Sequence, residues 1–198
     1  NRIYIDGKIY QNSGASIAEQ LAFSLNHAIE YLSVLDVKSE KSKKTICFYM
    51  ASGSDYFFEI SKIKALRILW DLISDQFEKE IDCQIIIQPS YRNMTLYDYN
   101  MNFLRTSTSC MSGILGGADI INNLPYDCIY NYPNDFGNRL AINQLLIFKN
   151  EAGLDKIKNP SNGSYYLEEI TFQIVEKSLE IFKKIEVRPR SRNDVFEN

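Results

Sequence analysis

Residues 88–127 read QPSYRNMTLYDYNMNFLRTSTSCMSGILGGADIINNLPYD, and the fold follows from how this stretch is divided. The apolar run Ile85-Ile86-Ile87 leads into it and is closed by Pro89, the pattern of a strand buried on both faces. From Asp98 to Leu115 the residues Met101, Leu104, Thr108, Met111, Ile114 and Leu115 recur at three- and four-residue steps, which predicts a helix with that face buried. Gly116 and Gly117 supply a left-handed helix stop. The chain is then expected to re-enter the sheet as a strand from Ala118 to Leu124, ended by Pro125. Strand, helix and strand at this spacing form a crossover unit of an α/β protein.

The same alternation runs outward in both directions. Ile3 to Tyr10 (IYIDGKIY) predicts a strand with Gly7 as a bend. A helix starting near Gly14 and Ala15 carries the stripe Ala18, Leu21, Ala22, Leu25, Ala28, Ile29 and Leu32, and His27, the one histidine, lies off it as a solvated or capping residue. Lys38 to Lys44 reads as a solvated charged loop. Thr45 to Ala51 predicts a second buried strand, and Asp55 an N-cap. The next helix buries Phe57, Ile60, Ile63, Leu66, Leu69, Trp70, Ile73 and Phe77 and turns Lys62, Lys64 and Arg67 to solvent. After the third strand, Cys83 to Gln88, and the central stretch, Pro133 and Asn134 open a helix over 136–154 with Leu140, Ala141, Gln144, Leu145 and Phe148 on one face. A turn at 159–164 precedes a last helix, Tyr166 to Glu186, with Ile170, Ile174, Leu179 and Phe182 inward. Strand starts recur about every 35 to 40 residues, so four βα units follow one another, as half of a (β/α) TIM-type barrel or as a small open sheet. Either way the working end lies where the strands finish, at Gln11 and Asn12, Ser52 and Ser54, Gln88 to Arg92, and Tyr126 and Asp127.

The totals exclude several classes. Acidic residues number 25 against 22 basic ones, too even for a nucleic-acid footprint. No apolar run is long enough to span a membrane. Cys47, Cys83, Cys110 and Cys128 have spacings that match no metal or redox motif, so they read as reduced core thiols of a cytoplasmic protein. The first residue is Asn1 and no signal peptide leads the chain, so the sequence is expected to begin inside a longer one.

Six blocks then carry a family likeness: YQNSGAS, MASGSDYFFEISKIKALRILW, NFLRT, GGADIINNLPYD, NDFGNRLAINQLLI and NPSNGSYYLEEIT. In this order they resemble the methylmalonyl-CoA mutases, adenosylcobalamin-dependent isomerases, over nearly everything from Ile3 to Glu186. The resemblance implies that residues 1–186 are the second half of the substrate barrel, strands five to eight, followed by a linker or docking tail at 187–198. It also implies a position-by-position comparison with the catalytic subunit. A Tyr-His pair that contacts substrate there falls on Lys8 and Ile9; a His-Ser-Gln strand falls on Ile86-Ile87-Gln88; the asparagine and glutamate that hold the adenosyl group fall on Leu124 and Cys128.

An isoleucine at the donor position cannot polarise a thioester carbonyl, and leucine and cysteine cannot accept two ribose hydroxyl bonds. The resemblance therefore points to the small, non-catalytic subunit, which stabilises a large subunit as a heterodimer. Gln11, Gln88, Arg92 and Asp127 remain as barrel-mouth contacts, with no cofactor or metal bound by this segment and adenosylcobalamin expected in the partner. The alternative is a divergent catalytic acyl-CoA mutase whose cobalamin domain lies outside this sequence. As an isolated piece, half a barrel has open edges at its first and fourth strands and is expected to self-associate through them.

Overall fold

A computed structural model describes residues 2–34, 44–75 and 81–187. Four parallel strands form one sheet in the order β1-β2-β3-β4: Arg2–Asp6, Lys44–Ser52, Ile81–Pro89 and Ile120–Ile121. The helices are α1 (Lys8–Asn12), α2 (Ile17–Val34), α3 (Tyr56–Ser74), α4 (Met101–Gly116), α5 (Asp135–Leu146) and α6 (Tyr165–Val187). Sequential strands are spatial neighbours and each crossover carries a helix, as a parallel sheet demands. This is an α/β architecture with a four-stranded parallel sheet, consistent with a partial TIM-type fold. The expected charged loop at 38–44 lies almost wholly outside the described residues, as do Phe77 and the tail from 188 onward.

The core is built on one side of the sheet. Ile5, Ile46, Phe48, Met50, Ile85 and Ile87 alternate along β1 to β3 and are at most 1% exposed. Leu21, Leu25 and Leu32 of α2 and Ile63, Leu66, Leu69 and Trp70 of α3 cover them. Trp70 meets Phe48 edge-on, with ring centroids 5.3 Å apart, and its indole N–H donates to Ile81 O. Ile170, Ile174 and Val175 of α6 close the same core from outside, as the helical spacing predicted for Ile170 and Ile174.

Several expectations are corrected. The side away from the helices is only partly buried: Tyr4 is 57% and Ile120 41% exposed on the outer strands and Tyr49 and Ile86 are half-buried, while Cys47, Ala51 and Gln88 there are buried. The first strand stops at Asp6 instead of Tyr10, because Gly7 packs so closely that a Cβ would lie 2.7 Å from Ser24 Oγ and nearer still to Met50 Sδ. The chain turns there and continues as the short helix α1. The fourth strand shrinks to Ile120–Ile121; Asn122 N–H still donates to Ile87 O at 2.8 Å, and beyond it Asn123 turns its side chain to Gln144 and the carbonyl of Ala141.

The buried face of α4 is polar and small: Asn102, Thr106, Ser109, Cys110, Ser112, Gly113 and Gly116. Met101 and Leu104 are 41% and 55% exposed. The reason is close approach, since a Cβ on Gly113 would sit 2.9 Å from Ile121 and one on Gly116 2.8 Å from Ile63. On α3, Phe57 is exposed and Lys62 is 1% exposed, the reverse of the expected order. Asp55 occupies the N-cap of α3 without a side-chain capping bond. Gly117 does end α4 in the left-handed conformation (φ 84°), and Asn134 caps α5 by accepting from Gly137 N–H. The helix expected over 136–154 gives way after α5 to a π-helical turn at Ile147–Glu151.

Phe48→Ala removes the ring on which the helix layer closes and should cost about 3–5 kcal/mol in urea denaturation, with an unchanged slope. A loss under about 1 kcal/mol would mean that this layer is not tightly packed.

Candidate functional site

The strands finish at a mouth ringed by α1, the loop at 53–55, the short 3₁₀ turn Tyr91–Asn93 and the segment at 122–134. On the open sheet face below it, register sets Tyr49 beside Ile86 and Ile86 beside Ile120. Tyr49 O–H donates to Gln88 Oε1, and Asn122 Nδ2 donates both to the Tyr49 hydroxyl oxygen Oη and, at 3.1 Å, to Gln88 Oε1. Lys8 Nζ lies 3.4 Å from the centre of the Tyr49 ring and 3.9 Å from Asp6 Oδ2. Tyr49 Oη, Gln88 Oε1 and Asn122 Nδ2 are thus bonded to one another.

A second network sits behind the mouth, between the strand ends and the helices. Lys62 Nζ donates to Ala51 O at 2.6 Å and to Gln20 Oε1 at 3.4 Å, and pairs with Glu59, itself 2% exposed. Glu59 Oε2 meets only that ammonium and accepts no directed hydrogen bond. Gln20 Nε2 donates to Gln11 Oε1 and to Ala15 O at 2.8 Å. Arg92 Nη1 donates to Gln11 O at 2.9 Å, and Ser90 Oγ to Asn12 Oδ1 at 3.0 Å, so the turn after β3 is tied to α1 across the end of β2. Gln11, Gln20, Glu59 and Arg92 also line a cleft of about 950 Å³ between the N-terminal ends of α2 and α3 and the side of α6.

The four expected mouth contacts therefore separate. Gln11 and Arg92 come together; Gln88 belongs to the tyrosine network; Asp127 joins neither. The Asp127 carboxylate accepts from Asn134 Nδ2 at 2.6 Å and Asn131 Nδ2 at 3.2 Å, and a Cβ on Gly137 would lie 2.6 Å from its Oδ1. It anchors the loop against the start of α5. Tyr49, Asn122, Gln20, Glu59 and Lys62 were missed. Strict alternation in β2 (Ile46, Phe48 and Met50 inward to the helices) does mark Tyr49 as facing the other way, and Glu59 and Lys62 stand at i,i+3. Nothing in one sequence marks that pair as buried.

The positions that the resemblance set against the catalytic subunit are dispersed. Ile9 is 50% exposed, Leu124 is buried with its N–H bonded to Asn123 Oδ1, and Cys128 Sγ lies 3.4 Å from Met94 Sδ. Neither Leu124 nor Cys128 offers acceptors to a ribose diol, so these two residues do not fit an adenosyl group. Burial, and then Asp127, push the Cys128 thiol up to about 11, which leaves it protonated at neutral pH and unfit as a nucleophile. All four cysteines are free, with Cys47 and Cys110 buried and Cys83 and Cys128 half-buried. His27 is exposed as expected and contacts the Tyr10 hydroxyl at 2.9 Å through Nδ1. Among the described residues no group of three or more His, Cys, Asp or Glu could hold a metal ion, and no helix is long and apolar enough to cross a membrane.

The methylmalonyl-CoA mutase family model matches residues 1–188. The chain belongs to the methylmalonyl-CoA mutase family. It is 37% identical over 183 residues to a methylmalonyl-CoA mutase small subunit of Porphyromonas gingivalis, covering 88% of this chain and 30% of the relative. A small subunit of Streptomyces virginiae is 31% identical (92% and 30% covered), and a methylmalonyl-CoA mutase large subunit of the same organism is 28% identical (94% and 26%). The chain thus spans under a third of the length of these relatives.

Two measurements probe this geometry. Tyr49→Phe leaves Gln88 and Asn122 without their shared hydroxyl and should cost about 1–3 kcal/mol in chemical denaturation. A neutral result would mean that the hydroxyl bonds are made equally well to water. Site-resolved alkylation of Cys128 should rise about tenfold per pH unit from pH 8 and keep climbing beyond the ordinary thiol value of 9.0. Levelling at 9 would show an unshifted thiol.

Proposed function

We propose that this chain is part of the small subunit of a two-subunit methylmalonyl-CoA mutase, which supports a catalytic large subunit and turns over no substrate by itself. The observation that carries the reading is the open sheet face. The Tyr49 hydroxyl and the Asn122 amide nitrogen commit their protons within the network around Gln88 Oε1, Lys8 lies over the Tyr49 ring, and Ile86 beside them carries no side-chain donor for a thioester carbonyl. The misfit of Leu124 and Cys128 to a nucleoside supports it, as does the similarity to proteins named small subunit. In this reading adenosylcobalamin is held by the large subunit, where it supplies the radical chemistry. The isomerisation interconverts methylmalonyl-CoA and succinyl-CoA in the cytoplasm.

The same proposal places residues 1–186 as strands five to eight of a (β/α)8 barrel, with 187–198 as a linker or docking tail. The open edges of β1 and β4 then receive the first half of the barrel, and a fragment lacking that half self-associates through them.

The full-length protein, purified alone and given adenosylcobalamin and methylmalonyl-CoA, should form no succinyl-CoA, whereas addition of the large subunit should restore turnover. Succinyl-CoA formed by the small subunit alone overturns the assignment.

A further inference from the structure

We infer that Lys62 is the positioning residue of the mouth: from inside the helix layer its buried ammonium fixes the end of β2 and, through Gln20 and Gln11, holds α1 and the Arg92 turn. A lysine at 1% exposure needs a strong structural reason, because an ammonium taken out of water is costly unless it is paired and hydrogen-bonded. Here the charge is met by Glu59, and the remaining donors go to Ala51 O and Gln20 Oε1. Ala51 is the last residue but one of β2, so one bond sets where that strand gives way to the loop at 53–55. Gln20 accepts from Lys62 with its oxygen and therefore must present its amide nitrogen to Gln11 Oε1 and Ala15 O. The lysine thus decides which way the Gln20 amide faces. Gln11 in turn offers its backbone oxygen to Arg92, 81 residues further along the chain. Four elements of the rim are joined in this single series: α3, α2, α1 and the turn after β3.

Gly53 bears independently on the same network. A Cβ there would lie 2.8 Å from both Gln11 Nε2 and Glu59 Oε1, so the loop after β2 is seated directly on two side chains of this network. The loop needs a glycine for this contact, not for its backbone angle. The arrangement gives the rim its shape before anything docks on it, which lowers the ordering cost of any later association.

Hydrogen exchange on the full-length protein, compared segment by segment, separates positioning from simple stabilisation. A buried ion pair can be replaced on both sides by apolar groups of similar size with little loss of stability. Glu59→Met/Lys62→Met should therefore keep the slow exchange of β3 at 85–87 while amides at 8–12, 52–55 and 90–93 exchange roughly tenfold faster. Gln20→Leu leaves Lys62 and Ala51 in place and should speed exchange at 8–12 and 90–93 by a similar factor, with 52–55 as slow as in the parent. The inference is overturned if the rim segments stay protected in Gln20→Leu, or if rim and β3 accelerate together in the double variant, which is the signature of general destabilisation. Should the double variant fail to fold, the segment pattern in Gln20→Leu alone decides. None of these readouts depends on mutase turnover, so the subunit assignment and the positioning role fail separately.

Discussion

Everything in this molecule depends on a parallel sheet whose helix layer covers one side. Parallel strands are ordinarily covered on both faces, because their crossovers place helices against them. Here α2, α3 and α6 seal the side carrying Ile5, Phe48, Met50 and Ile87, while the opposite side presents Tyr49, Ile86 and Gln88. The central strands β2 and β3 run nine residues each, and the outer ones five and two, so the hydrogen-bonded ladder is strongest in the middle and thin at the edges. Such a sheet keeps its order through the helix layer, and its open face must satisfy its own polar groups or leave them to water.

The mouth solves that problem in two layers. In front, Tyr49, Gln88 and Asn122 exchange hydrogen bonds and Lys8 settles over the tyrosine ring. Behind, Lys62, Glu59, Gln20 and Gln11 tie the strand ends to the helices. Side-chain atoms committed to one another hold a shape and are not free to grip a ligand. That distinction, between a mouth that binds and a mouth that is braced, is what the proposed supporting role rests on.

The alternating order of strands and helices was legible in the sequence because each long element repeats a clean period: two in β2, three to four in α2, α3 and α6. The misreadings came from packing between elements. Met101 and Leu104 look like the core face of α4, yet Gly113 and Gly116 allow the opposite face to approach β3 and α3 more closely, and the small polar side chains go inside. Lys62 looks solvated until its i−3 neighbour Glu59 and the carbonyl of Ala51 are found beside it. Gly7 looks like a bend within a strand, but Met50 and Ser24 crowd the place of a Cβ there and the chain turns into α1.

By itself, then, the sequence determined the α/β class, the order of the parallel units, the glycine stop after α4, the Asn134 cap and the family. These rest on local periodicity, backbone conformation and motif order, which neighbours along the chain settle. Only the tertiary structure decided which face of α4 is buried, where β1 and β4 end, and that Gln11, Gln88, Arg92 and Asp127 serve three separate networks. Those outcomes depend on distances between segments tens of residues apart, set by close contact and by the need to partner every buried charge.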